Sequence, residues 1–152
     1  MDKNQKRISR CISLQLIYAN EISLSENSKD IISHFKNDLG ELFNSTITKE
    51  QNKFSERLYK VTLENKEYVD SIIKEQLKNW DISRLALLDR LILRMASSEM
   101  LYMDEIPPKV SITEGVEIAK LFSTKDSSSF VNGILDAIYN NIYIKDNDKK
   151  VK

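Results

Sequence analysis

Residues that interrupt helices or carry out chemistry are scarce in this chain. Among 152 residues there are three glycines (Gly40, Gly115, Gly133) and two prolines, adjacent at Pro107 and Pro108, so few positions stop a helix. The single cysteine, Cys11, excludes an internal disulfide. Beside Ile8, Ile12 and Leu16 it reads as a small buried hydrophobe. The single histidine, His34, has no second histidine or cysteine near it, so it cannot organise a metal site and reads as a surface residue. Without a glycine cluster there is neither a P-loop nor a dinucleotide-binding turn. One cysteine and one histidine on different predicted helices do not form a nucleophile–base pair. Asp104 and Glu105 adjoin a proline turn and read as solvated surface. No run approaches the roughly 18 apolar residues of a membrane span, and the amino terminus has no apolar signal-peptide core. Catalysis, a cofactor, a metal and membrane attachment are therefore not expected, and the expected location is the cytoplasm.

Leu, Ile, Lys, Glu and Ser dominate what is present, and 41% of the chain is hydrophobic. That suits one compact all-α domain with a real core. Formal net charge is zero, from 23 basic and 23 acidic side chains. Locally the balance differs: between Met1 and Asn20, Lys3, Lys6, Arg7 and Arg10 face the lone Asp2 until Glu21. The carboxyl-terminal KDNDKKVK is mixed in sign and reads as a frayed, solvated tail.

Hydrophobic periodicity orders the chain into helices. The first runs from about Lys3 to about Asn20, with Ile8, Cys11, Ile12, Leu16 and Ala19 on one arc and Lys3, Lys6, Arg7 and Arg10 opposite. Beyond Ser13 that opposite side carries Leu14, Ile17 and Tyr18, so the helix should become buried nearly all round and leave its amino-terminal end as a cationic tip. A second pattern spans Ile31 to Phe43; a third runs from Thr48 to Trp80 with a break near Asn65. Asp81 or Ser83 then caps a fourth helix whose LALLDRLILRMA core is apolar on most sides and belongs in the middle of the molecule. Pro107-Pro108 ends that segment.

Ile112 to Asp136 sets two helix patterns around a polar stretch. Ser111 with Glu114 three positions later reads as a capping box, and Ile112, Val116, Ala119, Leu121 and Phe122 follow at helical spacing. Ser123 to Ser129, with Lys125, reads as a loop before a last helix carrying Phe130, Ile134, Leu135, Ile138 and Ile142. A glycine inside a helix costs roughly 1 kcal/mol relative to alanine, so Gly133 implies close approach of another backbone.

Two surfaces could bind a ligand. Cations in a helix's first turn oppose its dipole, a conflict that a phosphate backbone meeting the same side chains and the free amides of the helix end would reverse. A merely solubilising basic face is the alternative. The serine stretch offers Lys125, hydroxyls and helix-start amides, or simply an ordinary cap. Tyr18 is either a core tyrosine with its hydroxyl at the edge or a platform on which a base stacks.

Taken together, RISRCISLQLIY (with Arg7, Arg10 and Tyr18), RLALLDRLILRMASSE (Arg84 to Glu99), IPPKVSITEGVEIAK (Ile106 to Lys120) and FVNGILD (Phe130 to Asp136) resemble the NusB family of transcription antitermination factors, nearly end to end. Thr113, Gly115, Ser9 and Ser13 depart from its usual residues. The resemblance implies two helical lobes, about residues 1–80 and 81–145, around a central buried helix from Arg84 to Met100. It implies binding of single-stranded boxA leader RNA of ribosomal RNA operons, together with the small-subunit ribosomal protein NusE, to promote read-through of terminators. Other Nus factors and RNA polymerase would join indirectly, and a homodimer is possible. Lys3, Lys6, Arg7, Arg10 and Tyr18, then Lys120, Lys125, Asp126, Ser127 and Phe130, take the RNA-binding role by position. Asp89, supported by Glu99 and Lys109 on neighbouring surface, takes the partner-binding role, unless Asp89 merely answers Arg84 or Arg90. Two rivals remain. NusB-like domains also occur as RNA-binding modules of rRNA cytosine methyltransferases, for whose catalytic domain this chain is expected to be too short. The other is a self-associating helical scaffold.

Overall fold

The computed structural model describes residues 1–22, 46–78 and 82–151, and no strand occurs among them. Its elements are α1 (Lys3–Ile22), α2 (Lys49–Glu64), α3 (Lys66–Gln76), a 3-10 turn (Ile82–Arg84), α4 (Leu87–Tyr102), α5 (Pro108–Phe122) and α6 (Lys125–Ile138). A π-helical stretch (Tyr139–Tyr143) continues α6 into α7 (Ile144–Val151). The all-α class follows the composition. The helix read over Ile31 to Phe43 with His34, the Trp80 end of the third pattern and the Asp81 cap lie outside the described residues. The chain divides into two compact units, Met1–Leu63 and Glu64–Lys152.

In the first unit, the two described helices each begin with a reciprocal capping box. Asp2 Oδ1 accepts the Gln5 amide at 2.8 Å while Gln5 Oε1 accepts the Asp2 amide at 3.0 Å. Thr48 and Gln51 repeat the arrangement at 3.1 and 2.9 Å. From Ser9 onward α1 is buried on nearly every side, as expected. Gln51 Nε2 donates to the Gln5 carbonyl at 3.2 Å, Ser13 Oγ to the Ser55 carbonyl at 2.7 Å, and the Tyr59 hydroxyl to Asn20 Oδ1 at 3.4 Å. Residues 5, 13 and 20 thus meet 51, 55 and 59 in the same order, so the two helices run in the same direction. Small side chains at the crossing, Ser13 and Ser55, are fully buried.

The second unit is built on α4. Every residue from Leu91 to Met100 is buried, and α3, α5 and α6 all pack on this helix. Its buried acids and Arg94 have polar partners inside the protein. Arg94 grips Asp70 of α3 with Nε to Oδ1 at 2.8 Å and Nη2 to Oδ2 at 2.9 Å. Such a forked pair is directional, and removing one partner would leave a buried charge.

Several boundaries differ from those read in the sequence. The break at Asn65 is present, but α4 begins at Leu87 after an extended Ala86, because Ile82–Arg84 closes a 3-10 turn in which the Leu85 amide donates to the Ile82 carbonyl at 3.2 Å. Ser111 does not cap α5. The helix starts at Pro108, whose fixed φ and missing amide suit a first helical position. Ser123 to Ser129 is not a loop, since α6 already starts at Lys125. The carboxyl-terminal run continues as helix α7.

The close approach assigned to Gly133 belongs to Gly115. A Cβ on Gly115 would lie 2.9 Å from Leu135 Cδ1 and 3.1 Å from Ala96 Cβ, where α4, α5 and α6 converge, whereas one on Gly133 would meet nothing within 4 Å. Gly133→Ala should therefore raise stability by about 0.5–1 kcal/mol in urea unfolding. Gly115→Ala should yield less, because Leu135 must shift.

Burial pushes the Tyr59 phenol pKa above its ordinary 10.0. A phenol whose pKa is raised by folding holds its proton more tightly in the native state. Its contribution is intact below pH 10 and is lost as pH rises toward the folded value. Unfolding free energy should fall above pH 10, and Tyr59→Phe should make that fall shallower.

Candidate nucleic-acid interface

The residues singled out in the sequence lie in both units, and each group has its own geometry. On α1, Lys3 is exposed and Lys6 and Arg7 are half-buried. Arg10 is not part of the solvent-facing tip. It is 3% exposed, with its guanidinium 5.3 Å from the centroid of the Phe54 ring on α2. The helix is already enclosed by the third turn, so a side chain in phase with Lys3 and Lys6 meets α2 there instead of water. A planar, weakly hydrated guanidinium tolerates that setting by stacking on an aromatic face.

Tyr18 is the exception among the buried turns, at 38% exposure. Eleven residues separate it from Arg7, three helical turns plus about 20°, so the two share one side of α1 about 16 Å apart along the axis. Half-buried Gln15 and exposed Ile22 complete this narrow accessible strip. At the amide end of α1 the Asp2 carboxylate takes the Gln5 amide, so one of the amides expected to meet an anion is already occupied. That carboxylate also offsets the cations in the first turn.

In the second unit, the junction between α5 and α6 is held from α4. Ser123 is extended at the end of α5, and Thr124 caps α6 by accepting the Ser127 amide at 3.2 Å. An ordinary helix cap is thus present at the start of this stretch. Asp89 Oδ1 accepts the Ser123 hydroxyl at 3.1 Å and Oδ2 accepts the Ser127 hydroxyl at 2.9 Å. At 8% exposure, the Asp89 carboxylate is fastened to the junction by these two hydroxyls. Together with Asp126, Ser127 and Phe130 it borders a hollow of about 330 Å³, completed by Arg84, Leu85 and Ala86. The sequence reading connected Arg84 with Asp89 only as a counter-ion. Its place in the hollow depends on the 3-10 turn, which no spacing signals.

Other expectations separate from this cluster. Glu99 is not on the surface: it is 1% exposed and accepts the Ser111 hydroxyl at 2.7 Å. A residue within the fully packed part of α4 has no route to solvent. Lys109 is exposed, with its ammonium 5.8 Å from the Tyr139 ring centroid. Lys120 is exposed and pairs with Glu117 one turn earlier at 3.2 Å. Lys125 opens α6. Among the described residues there is no group of three or more His, Cys, Asp or Glu side chains placed to hold a metal, and no helix is long and apolar enough to cross a membrane.

The NusB family profile matches residues 7–140. The chain belongs to the NusB family. A NusB from Salinibacter ruber, named as a transcription antitermination protein, is 51% identical over 85 residues, covering 56% of this chain and 53% of the relative. Proteins with the same name from Chloroherpeton thalassium and Syntrophus aciditrophicus are 36% and 32% identical over 148 and 147 residues. These matches cover 92% of this chain and 64% of the first, and 97% of this chain and 87% of the second. The chain thus spans 53% and 64% of the Salinibacter and Chloroherpeton NusB proteins. The T. maritima NusB structure superposes with a TM-score of 0.78 at 30% identity, over 93% of this chain and 94% of that one. A chain from a structure of antitermination factors NusB and NusE in complex with dsRNA shares the fold, with a TM-score of 0.75 at 23% identity over 91% of this chain and 98% of that one.

Arg10→Ala should cost about 2 kcal/mol in urea unfolding through lost stacking and packing. Lys3→Ala and Lys6→Ala should each stay within about 0.5 kcal/mol.

Proposed function

We propose that this chain is a transcription antitermination factor that binds boxA-type leader RNA of ribosomal RNA operons together with the ribosomal protein NusE, and so promotes read-through of terminators. The observation that carries this reading is the NusB match across residues 7–140. The antitermination relative from Syntrophus aciditrophicus supports it, being matched over 87% of its length. Acting on nascent transcripts places the protein in the cytoplasm, and the work is binding, without a chemical step.

On α1, Lys3 and Lys6 supply positive charge, while Arg7 and Tyr18 share the accessible strip. A phosphate backbone following that strip leaves a base free to stack on the Tyr18 ring. Arg10 acts at one remove, by locking α1 onto Phe54 so that the strip keeps its pitch. In the second unit Lys120, Lys125, Asp126, Ser127 and Phe130 form a further RNA contact. Asp89 sets the junction from beneath and, with Arg84 and exposed Lys109, contributes to the NusE-facing surface.

Few phosphates are within reach of so small a cationic set. Affinity for RNA alone should therefore be modest and salt-sensitive, with a log–log slope of about 0.7 per phosphate neutralised on a single strand. Labelled boxA-like and scrambled RNAs should be titrated with and without NusE. The boxA-like RNA should bind more tightly, and NusE should widen the difference. Lys3→Glu with Lys6→Glu should weaken RNA binding roughly tenfold and flatten the salt slope, with helicity unchanged. Equal binding of both RNAs with no effect of NusE would sink this assignment.

A further inference from the structure

Tyr102 lies thirteen residues beyond Asp89, so the last turn of α4 is about 20 Å along the helix axis from the α5–α6 junction. A second hollow, of about 420 Å³, opens there. Tyr68 of α3, Leu101 and Tyr102 of α4, Asp104 in the turn that follows, Tyr143 of the π stretch and Asp146 of α7 form its wall. Three phenol rings and two carboxylates line it, and among the described side chains no cationic one does. Among the described side chains, neither the Asp104 nor the Asp146 carboxylate has a hydrogen-bond or ion-pair partner.

Two further observations indicate what such a hollow would take. Burial, with Tyr68 and Asp146 nearby, pushes the Tyr102 phenol pKa up. The site thus resists additional negative charge and disfavours an anionic ligand. Its aromatic cluster also already hosts a cation on an adjoining ring. Tyr143 stacks on Tyr139 with centroids 5.6 Å apart and planes 19° from parallel, and Lys109 Nζ lies 5.8 Å from the Tyr139 centroid. A neutral apolar ligand would strip water from two carboxylates without compensation. A cation gains from both the ring faces and the carboxylates.

We propose that this hollow binds an alkylammonium or guanidinium group, seated against the rings of Tyr68, Tyr102 and Tyr143 and neutralised by Asp104 and Asp146. The NusB match ends at residue 140, so Tyr143 and Asp146 lie beyond the part of the chain it covers. The site is distinct from the α5–α6 junction and does not depend on RNA or NusE. A free polyamine and a basic side chain of a partner protein present the same chemistry, and two probes separate them.

The full chain should be titrated by NMR with spermidine in one arm and a blocked arginine peptide in the other, following the tyrosine ring resonances. Saturable shifts confined to Tyr68, Tyr102 and Tyr143 are expected. Saturation by spermidine alone assigns a free polyamine, and saturation by the peptide alone assigns a basic side chain. Asp104→Asn with Asp146→Asn alters exposed carboxylates and should leave the melting temperature unchanged while weakening binding roughly fivefold to tenfold. The proposal is overturned if neither probe saturates, if fully acetylated spermidine binds as tightly, or if the double variant binds as well as the parent chain.

Discussion

A helix buried on all sides cannot send its charged side chains to water, and the second unit is organised around how α4 meets that constraint. Asp89, Arg94 and Glu99 are each buried, and each is satisfied by a different neighbour. Arg94 binds Asp70 of α3, Glu99 accepts from Ser111 of α5, and Asp89 accepts from Ser123 and Ser127 at the α5–α6 junction. Apolar packing supplies most of the driving force, but these polar attachments fix the rotation of each surrounding helix about α4. Removing one partner would leave a desolvated charge, a larger penalty than the net value of the bond itself.

The same constraint shapes the candidate surface. Asp89 lies beneath the α5–α6 junction and holds Ser123 and Ser127 in place, so the first turn of α6 presents Asp126 and Phe130 from a fixed base. In the first unit, the Arg10–Phe54 stack serves a comparable purpose by tying α1 to α2 immediately after the exposed cations. In both places a charged residue near the surface is used to position the residues that reach it. The two units thus share a strategy of rigid support beneath a small accessible patch.

Periodicity made much of this legible. The encirclement of α1, the break at Asn65 and the burial of Leu91 to Met100 all follow from where apolar residues recur. The side-chain partners were much less legible. Ser111 and Glu114 have the spacing of a capping box, yet Pro108 starts the helix earlier and leaves the Ser111 hydroxyl to Glu99. The boxes that do form use Asp2 with Gln5 and Thr48 with Gln51, a pattern present in the sequence but overlooked. Arg10 illustrates the limit of a helical wheel, which gives direction but not what lies in that direction. Gly133 fits the same lesson, since a glycine's reason lies in its neighbours and here there are none.

The π stretch at Tyr139–Tyr143 carries a consequence for how a helical protein can acquire a new face. With the Ile144 amide donating to the Tyr139 carbonyl, one extra residue is accommodated in the turn. Everything downstream is re-phased by about 100°, while the upstream face of α6 that packs on α4 is untouched. A one-residue insertion near the end of a helix can therefore aim the terminal turns at a new neighbour without repacking the core.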